Sequence, residues 1–423
     1  MMRIFALVLF FLMYVLMIAK PKFRPLYALA TAAVFLITGI LPLNRLLATI
    51  NWNVLLMIGG TMIIVHYFIA SQMPNLLADL ILEKAGNVMW VTILMSLFAG
   101  IISAFIDNVA TVLMVVPVGL AVCRKLQMNP TGMILSIAVS SNLQGAATLV
   151  GDTTSIMLGD YAGMNFMDFF WMKGRPGIFF AVELGALATI PLMMFLFRKD
   201  KKPVSASERT VVTDYIPTAT LLLMVAALIT ASFIPEAPDI INGIICCALA
   251  LFTMLISSVR EKKAAGAASA LKNLDFETLG LLLGLFVVIG GLTNLGLIDE
   301  FAGLIVKHGG QNIFLLYTIV VWSSVLISAF VDNIPYVATM LPVLTSVTAA
   351  LGIEPYLLYF GLLSGATLGG NITPIGASAN ITAVGMLRKE GFPVSFKEFM
   401  RIGLPYTLTA VIAGYLFIWL VWK

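Results

Sequence analysis

The stretches SAFIDNVATVLMVVPV, Ser103 to Val118, and SAFVDNIPYVATMLPV, Ser328 to Val343, each place an Asp-Asn pair inside a strongly apolar run. An ionised aspartate in hydrocarbon is costly. It is tolerated where it faces a wet cavity and meets a cation, a proton or a hydrogen-bond donor. Asp107 with Asn108 and Asp332 with Asn333 are therefore candidate ligands for Na⁺ or H⁺. A plainer reading gives them only the work of capping the helix that follows, which Asp and Asn do well. The two phrases stand 225 residues apart. A second pair of polar stretches keeps the same offset: GAATLVGDTTS, Gly145 to Ser155, lies against GGNITPIGASAN, Gly369 to Asn380. Thr148 thus matches Thr373, and Gly151 matches Gly376. NWN at Asn51–Asn53 lies near DFE at Asp275–Glu277 with a shift of one residue.

Such residues need a scaffold, and composition says which kind. Of 423 residues 60% are hydrophobic and 11% charged, with a mean hydropathy of +1.02. That is too little charge to cover a soluble surface, so the chain reads as an all-α polytopic membrane protein. The alternation of a transmembrane barrel is absent. The net charge of +4 gives no reason to expect nucleic acid. Cys123, Cys246 and Cys247 show no metal spacing and read as apolar packing residues. The run Ile4–Ala19 reads as a retained first span, because more positive charge follows it than precedes it.

Apolar runs predict about ten spanning helices. Two more pairs of runs, Val88–Ile106 with Val109–Cys123 and Ile313–Val331 with Ile334–Leu351, are separated only by Asp-Asn. Two full spans cannot be joined by two buried residues, so each pair reads as a re-entrant hairpin with Asp-Asn at its tip. With the N-terminus outside, nineteen of the 25 basic residues then fall inside, as the positive-inside rule requires. The first hairpin opens inward and the second outward. That is an inverted repeat, the signature of secondary transporters. Its halves are 1–197 and 215–423, joined by a cytoplasmic linker at 198–214; the stretch 260–273 reads as a second inside loop. The Gly-rich stretches interrupt long apolar runs, so two helices are expected to be broken there, exposing backbone N–H and C=O groups to a ligand. Candidate substrate and ion ligands are Asp107, Asn108, Thr148, Gly151, Asp152, Thr153, Asp332, Asn333, Asn371, Thr373, Gly376, Ser378 and Asn380. Thr148 and Thr373 have an alternative use as donors to helix backbone.

GGNITPIGASAN and SAFVDNIP resemble the ion transporter superfamily over nearly the whole chain, and within it the arsenite-permease and sodium/proton-antiporter branch. The resemblance implies a homodimer in a cell membrane, with a scaffold and a mobile transport domain (here about 88–158 and 312–387) that moves as an elevator. It implies no organic cofactor and Na⁺ or H⁺ as the coupling ion. The first-half motif departs from arsenite-permease relatives: Gly-Asp-Pro-Pro-Asn is replaced by Gly151-Asp152-Thr153-Thr154-Ser155. The Ser-Asn-Thr tips of sodium-coupled carboxylate carriers are not reproduced either. The substrate stays open between a small oxyacid or oxyanion such as arsenite, a small carboxylate entering with cations, and plain Na⁺/H⁺ exchange. A remote alternative is an intramembrane aspartyl protease, which also needs two membrane aspartates. Its Gly-x-Gly-Asp motif is absent, since Val150 precedes Gly151-Asp152.

Overall fold

The computed structural model describes residues 1–204, 209–261, 265–309 and 312–423. The basic residues Lys262 and Lys263, and part of the linker, lie outside the described residues. The chain is built from helices: α1 Met2–Ala19, α2 Arg24–Ile37, α3 Leu46–Thr49, α4 Trp52–Ala70, α5 Met73–Lys84, α6 Val88–Ser103, α7 Asn108–Lys125, α8 Thr131–Gln144, α9 Thr153–Tyr161, α10 Ile178–Leu196, α11 Ile216–Ala231, α12 Ile241–Glu261, α13 Ala265–Lys272, α14 Phe276–Asn294, α15 Leu297–Gly309, α16 Ile313–Ser328, α17 Asn333–Leu351, α18 Tyr356–Gly369, α19 Ser378–Lys389 and α20 Phe396–Trp422. A two-stranded ribbon pairs β1 Trp171–Met172 with β2 Arg175–Pro176. Eight of the described helices are long and apolar enough to cross a membrane. Counting the shorter α2 and α11, and each broken helix once, the chain makes ten crossings beside its two hairpins.

The repeat covers all of it. Elements α1–α10 recur in order as α11–α20, and the residues that start the helices recur with them. Asn51 Oδ1 accepts the Val54 N–H at 3.1 Å and Asp275 Oδ1 accepts that of Thr278 at 3.0 Å, so the NWN and DFE motifs are N-caps. Asn87 caps α6 and Asn312 caps α16 in the same way. Packing repeats too: α4 lies on α12 as α2 lies on α14, and α6 on α8 as α16 on α18. Cys246 fills its expected packing role, directly under Gly60.

The two hairpins open at opposite faces. At the start of α6, Val88 and Met89 donate their N–H groups to Lys202 and Asp200 of the basic linker. At the end of α7, Arg124 pairs with Glu390, just beyond α19. Both arms of the first hairpin therefore end on the linker face. At the other face, Lys173 of the ribbon pairs at 2.6 Å with Glu354, beyond the end of α17. The Trp422 indole, at the far end of α20, donates to Pro176 O at 3.0 Å.

Two elements differ from the sequence reading. Residues 265–272, expected as loop, form α13, because AGAASALK is rich in good helix formers. The arm α7, whose apolar run Val109–Cys123 reads as short of a full span, is 18 residues long. It includes the polar Asn108 at one end and Arg124-Lys125 at the other, which an apolar-run count leaves out.

Candidate functional site

Each hairpin tip is built by its aspartate. Asp107 Oδ1 accepts the N–H groups of Val109 at 3.0 Å and Ala110 at 3.2 Å. Asp332 Oδ1 accepts only that of Ile334, at 3.1 Å. The residue matching Ala110 is Pro335, which has no N–H to give. The capping role is thus real at both tips, and the second carboxylate has one backbone donor fewer.

The breaks lie where the sequence places them, between α8 and α9 and between α18 and α19. A one-turn 3₁₀ helix follows the first half-helix of each, at Gly145–Ala147 and Gly370–Ile372. Each break is stapled to its own hairpin. Thr148 Oγ1 donates to Ala104 O, and Thr373 Oγ1 donates to Ala329 O. These two threonines bond backbone and fix geometry; they do not face a ligand through that hydroxyl hydrogen. Gly151 and Gly376 sit where no Cβ fits: at Gly376 it would come 2.6–2.8 Å from the carbonyl oxygens of Gly370, Ala329 and Ser328. Ser155 Oγ and Asn380 Nδ2 close the turns by donating to Gly145 O and Gly370 O, at 3.2 and 3.0 Å.

The two halves meet through amides. Asn108 Nδ2 donates to Asn142 Oδ1 at 2.8 Å, and Asn142 Nδ2 reaches Thr367 O at 2.7 Å and Asn371 Oδ1 at 3.1 Å. Asn371 Nδ2 returns to Val139 O at 2.9 Å. Asp152, 3% exposed, opens α9 and accepts from Thr154 Oγ1 at 2.9 Å and from Asn333 Nδ2 at 3.3 Å. Thr154 in turn contacts the Thr367 hydroxyl at 3.1 Å. Thr153 is buried beside it, at the first position of α9. Asp152 thus bonds the residue next to Asp332, and its neighbour Gly151 lies against the Ser103 and Ala104 carbonyls of the first hairpin. The sequence-nominated residues therefore gather around the two tips and two breaks.

The tips differ in charge balance. Asp332 Oδ2 receives Arg24 Nη1 at 2.7 Å and Ser378 Oγ at 3.2 Å. Arg24 belongs to α2, which packs on α14. Among the described residues no basic side chain bonds Asp107 or Asp152. Among the described residues no bond joins the two tip aspartates. Burial is also unequal. The first break is closed, with Val150 2% exposed, whereas its match Ile375 is 49% exposed.

Sequence reasoning missed Asn142, Thr154, Thr367 and Arg24. Asn142 carries a signal, being an amide in an apolar run; Arg24 carries none that separates it from an ordinary inside-loop cation. A cavity of about 870 Å³ lies elsewhere, between the N-terminus of α4, α14, α17 and the end of α9. There the Asp160 carboxylate accepts from Asn53 Nδ2 at 2.6 Å and from Asn51 Nδ2. None of Asp107, Asp152 and Asp332 lines it, so we place the site at the tips and breaks, where the polar groups converge.

Comparison with known proteins agrees with this architecture. Two transporters of Mycobacterium tuberculosis, both described as uncharacterized, are 29% and 30% identical over 99% of this chain and 98% and 99% of their own. The human P protein is 25% identical over 95% of this chain and 58% of its own length. The solved YdaH transporter of Alcanivorax borkumensis shares the fold at a TM-score of 0.60 with 14% identity, covering 93% of this chain and 95% of that one. Residues 14–363 match the family described as citrate transporter. With hairpins, breaks and amide bridge in place, the chain is a multi-pass membrane protein that belongs to the citrate transporter family.

Proposed function

We propose that the protein is an ion-coupled secondary transporter for a small carboxylate or oxyanion, of the kind the family description names. One observation carries the reading: Asp107 and Asp332 stand at the two tips and Asp152 at the first break, bonded to Asn333 beside Asp332, and among the described residues a single guanidinium bonds any of the three. A bare polyanion would be repelled there. An anion that arrives with coupling cations, Na⁺ or H⁺, is not. The broken ends of α9 and α19 supply backbone N–H groups for its oxygens.

Movement follows from how the pieces are tied. Each break is stapled to its hairpin, and α10 and α20 pack on α8 and α18, so these elements suit a single mobile body. The pairs α2–α14 and α4–α12 suit a static scaffold, and an elevator motion of one past the other gives alternating access. This body extends the two segments 88–158 and 312–387 by α10 and α20. A homodimer assembled through the scaffold fits the same scheme.

A second reading is Na⁺/H⁺ exchange without an organic substrate, in line with the antiporter branch. It is favoured by Asp107 and Asp152, which no basic side chain bonds among the described residues. Proteoliposome uptake separates the two. Labelled citrate, succinate and arsenite would be offered with an inward Na⁺ gradient, an inward H⁺ gradient, or neither. Gradient-driven accumulation of one of them is expected. If none accumulates and Na⁺ drives proton efflux, the exchanger reading replaces the first; if neither flux is seen, both are lost.

A further inference from the structure

We propose that Arg24 is a tethered competitor of the coupling cation: in the empty carrier its guanidinium occupies the Asp332 carboxylate, and a cation must displace it to bind. The proposal rests on the ion-coupled reading above and assigns a residue that the reading does not need. Three arguments carry it.

The pair joins two bodies. Arg24 starts α2, which packs on α14, while Asp332 forms the second hairpin tip. Their side chains are 12% and 4% exposed and 2.7 Å apart. Tyr14 of α1 adds a second tie, its hydroxyl donating to Pro335 O and contacting Thr339 Oγ1, each at 2.6 Å. A tip held this way cannot slide past α1 and α2.

The pair is not demanded by the fold. Gly60 packs on Cys246 as Gly284 packs on Ala28. In that register the position matching Arg24 is Asn242, four residues before Cys246. The first tip forms with the same cap and no guanidinium. Both caps use Oδ1 and leave Oδ2; at the second tip alone, among the described residues, a guanidinium bonds that Oδ2.

The bond is of a replaceable kind. A buried ion pair gains Coulomb energy but loses hydration of both groups, so its net worth is small. A cation that coordinates Asp332 supplies the same neutralisation. The guanidinium leaves the tip with its charge. It has somewhere to go: the start of α2 is at the face where basic residues gather, and a long side chain there reaches the interface by snorkelling. Cation binding and release of the tip from α2 are then one event.

The test is thermal unfolding of the purified full chain with NaCl or with N-methyl-D-glucamine chloride at equal ionic strength, at pH 7.5 and 5.5. Ligand stabilisation follows concentration over Kd. If the pair holds Asp332 for most of the time, removing Arg24 raises the apparent affinity by the reciprocal of the free fraction, about tenfold or more. Arg24→Gln is therefore expected to lower the Na⁺ concentration for half-maximal stabilisation about tenfold. If the cation is a proton, the variant shows that gain between pH 7.5 and 5.5 without Na⁺. Arg24→Lys is expected to fall between wild type and Arg24→Gln, and Asp332→Asn to lose the response. An unchanged or weaker cation response in Arg24→Gln overturns the proposal. A second measurement keeps Arg24: Tyr14→Cys with Thr339→Cys, in a background without native cysteines, cross-linked by a short bifunctional thiosulfonate. Cation addition is expected to slow cross-linking, and no change overturns the proposal. Both readouts follow binding alone, so an absence of substrate uptake would count against the transport reading without touching this one.

Discussion

Asn142 Nδ2 donates to Asn371 Oδ1, 229 positions further along the chain, at 3.1 Å. One side chain on α8 thereby links the first tip, through Asn108, to the second break. Buried polar groups that lose a partner cost about 1–3 kcal/mol, more than the ~0.6 kcal/mol average of interhelical bonds in membranes. Asn142→Ala strands three partners at once. It is expected to fall in the upper part of that range and to remove ligand-induced stabilisation. A melting temperature within about 1 °C of wild type would show that the bridge is not used.

The second break tests close backbone approach. A Cβ at Gly376 meets three carbonyl oxygens that belong to the hairpin and the preceding turn. Overpacking costs about 1–3 kcal/mol, so Gly376→Ala is expected to lower stability in that range and to abolish transport. Gly151→Ala, whose Cβ meets Gly145, Ser103 and Ala104 oxygens at 2.6–2.8 Å, is expected to match it. Wild-type uptake by either variant would mean that the breaks can widen without loss.

The opposite faces of the hairpins are open to labelling. Cysteines at Lys125 and Ala350, both exposed at the ends of α7 and α17, are placed in a background with Cys123, Cys246 and Cys247 replaced. A membrane-impermeant maleimide is expected to reach Lys125→Cys from the linker side and Ala350→Cys from the other. Reaction of both from one side would contradict the inverted arrangement.

The two tip aspartates are expected to respond unequally to the same substitution. Asp332→Asn removes the charge that Arg24 and Ser378 bond, a loss of about 1.5–3 kcal/mol for hydrogen bonds to a charged group, held below the cost of a stranded buried charge because the guanidinium can reach the interface. Asp107→Asn keeps an amide oxygen to cap α7 and deprives no cation of a partner. It is expected to cost under about 1 kcal/mol while weakening cation-dependent transport. Equal melting temperatures for the two variants would refute the asymmetry.

The sequence made the repeat legible because helix caps are local. Asp107, Asp332, Asn51 and Asp275 bond N–H groups two or three residues ahead, and such bonds are read from neighbours in the chain. The breaks were legible for a related reason: Gly151 and Gly376 interrupt apolar runs that have no other cause to be interrupted. What was hidden depends on partners far away in sequence. Arg24 beside a Lys-rich turn looks like any inside-loop cation until Asp332, 308 residues on, is brought to it. The two caps alike use Oδ1 and leave Oδ2, so no local signal separates Asp332 from Asp107; only the packing of α2 brings Arg24 to the one and not to the other.

The unequal burial of Val150 and Ile375 has a consequence for the rest of the cycle. The halves are built on one backbone plan, yet here they hold different poses: the first break is sealed and the second is exposed. Whatever pose one half adopts is sterically open to the other, since the same caps and staples support both. The opposite end of the stroke is therefore expected to be this structure with the roles exchanged, Val150 taking up the exposure of Ile375. Water footprinting of those two residues, in states trapped from either side, would follow the exchange as a mirror image in time.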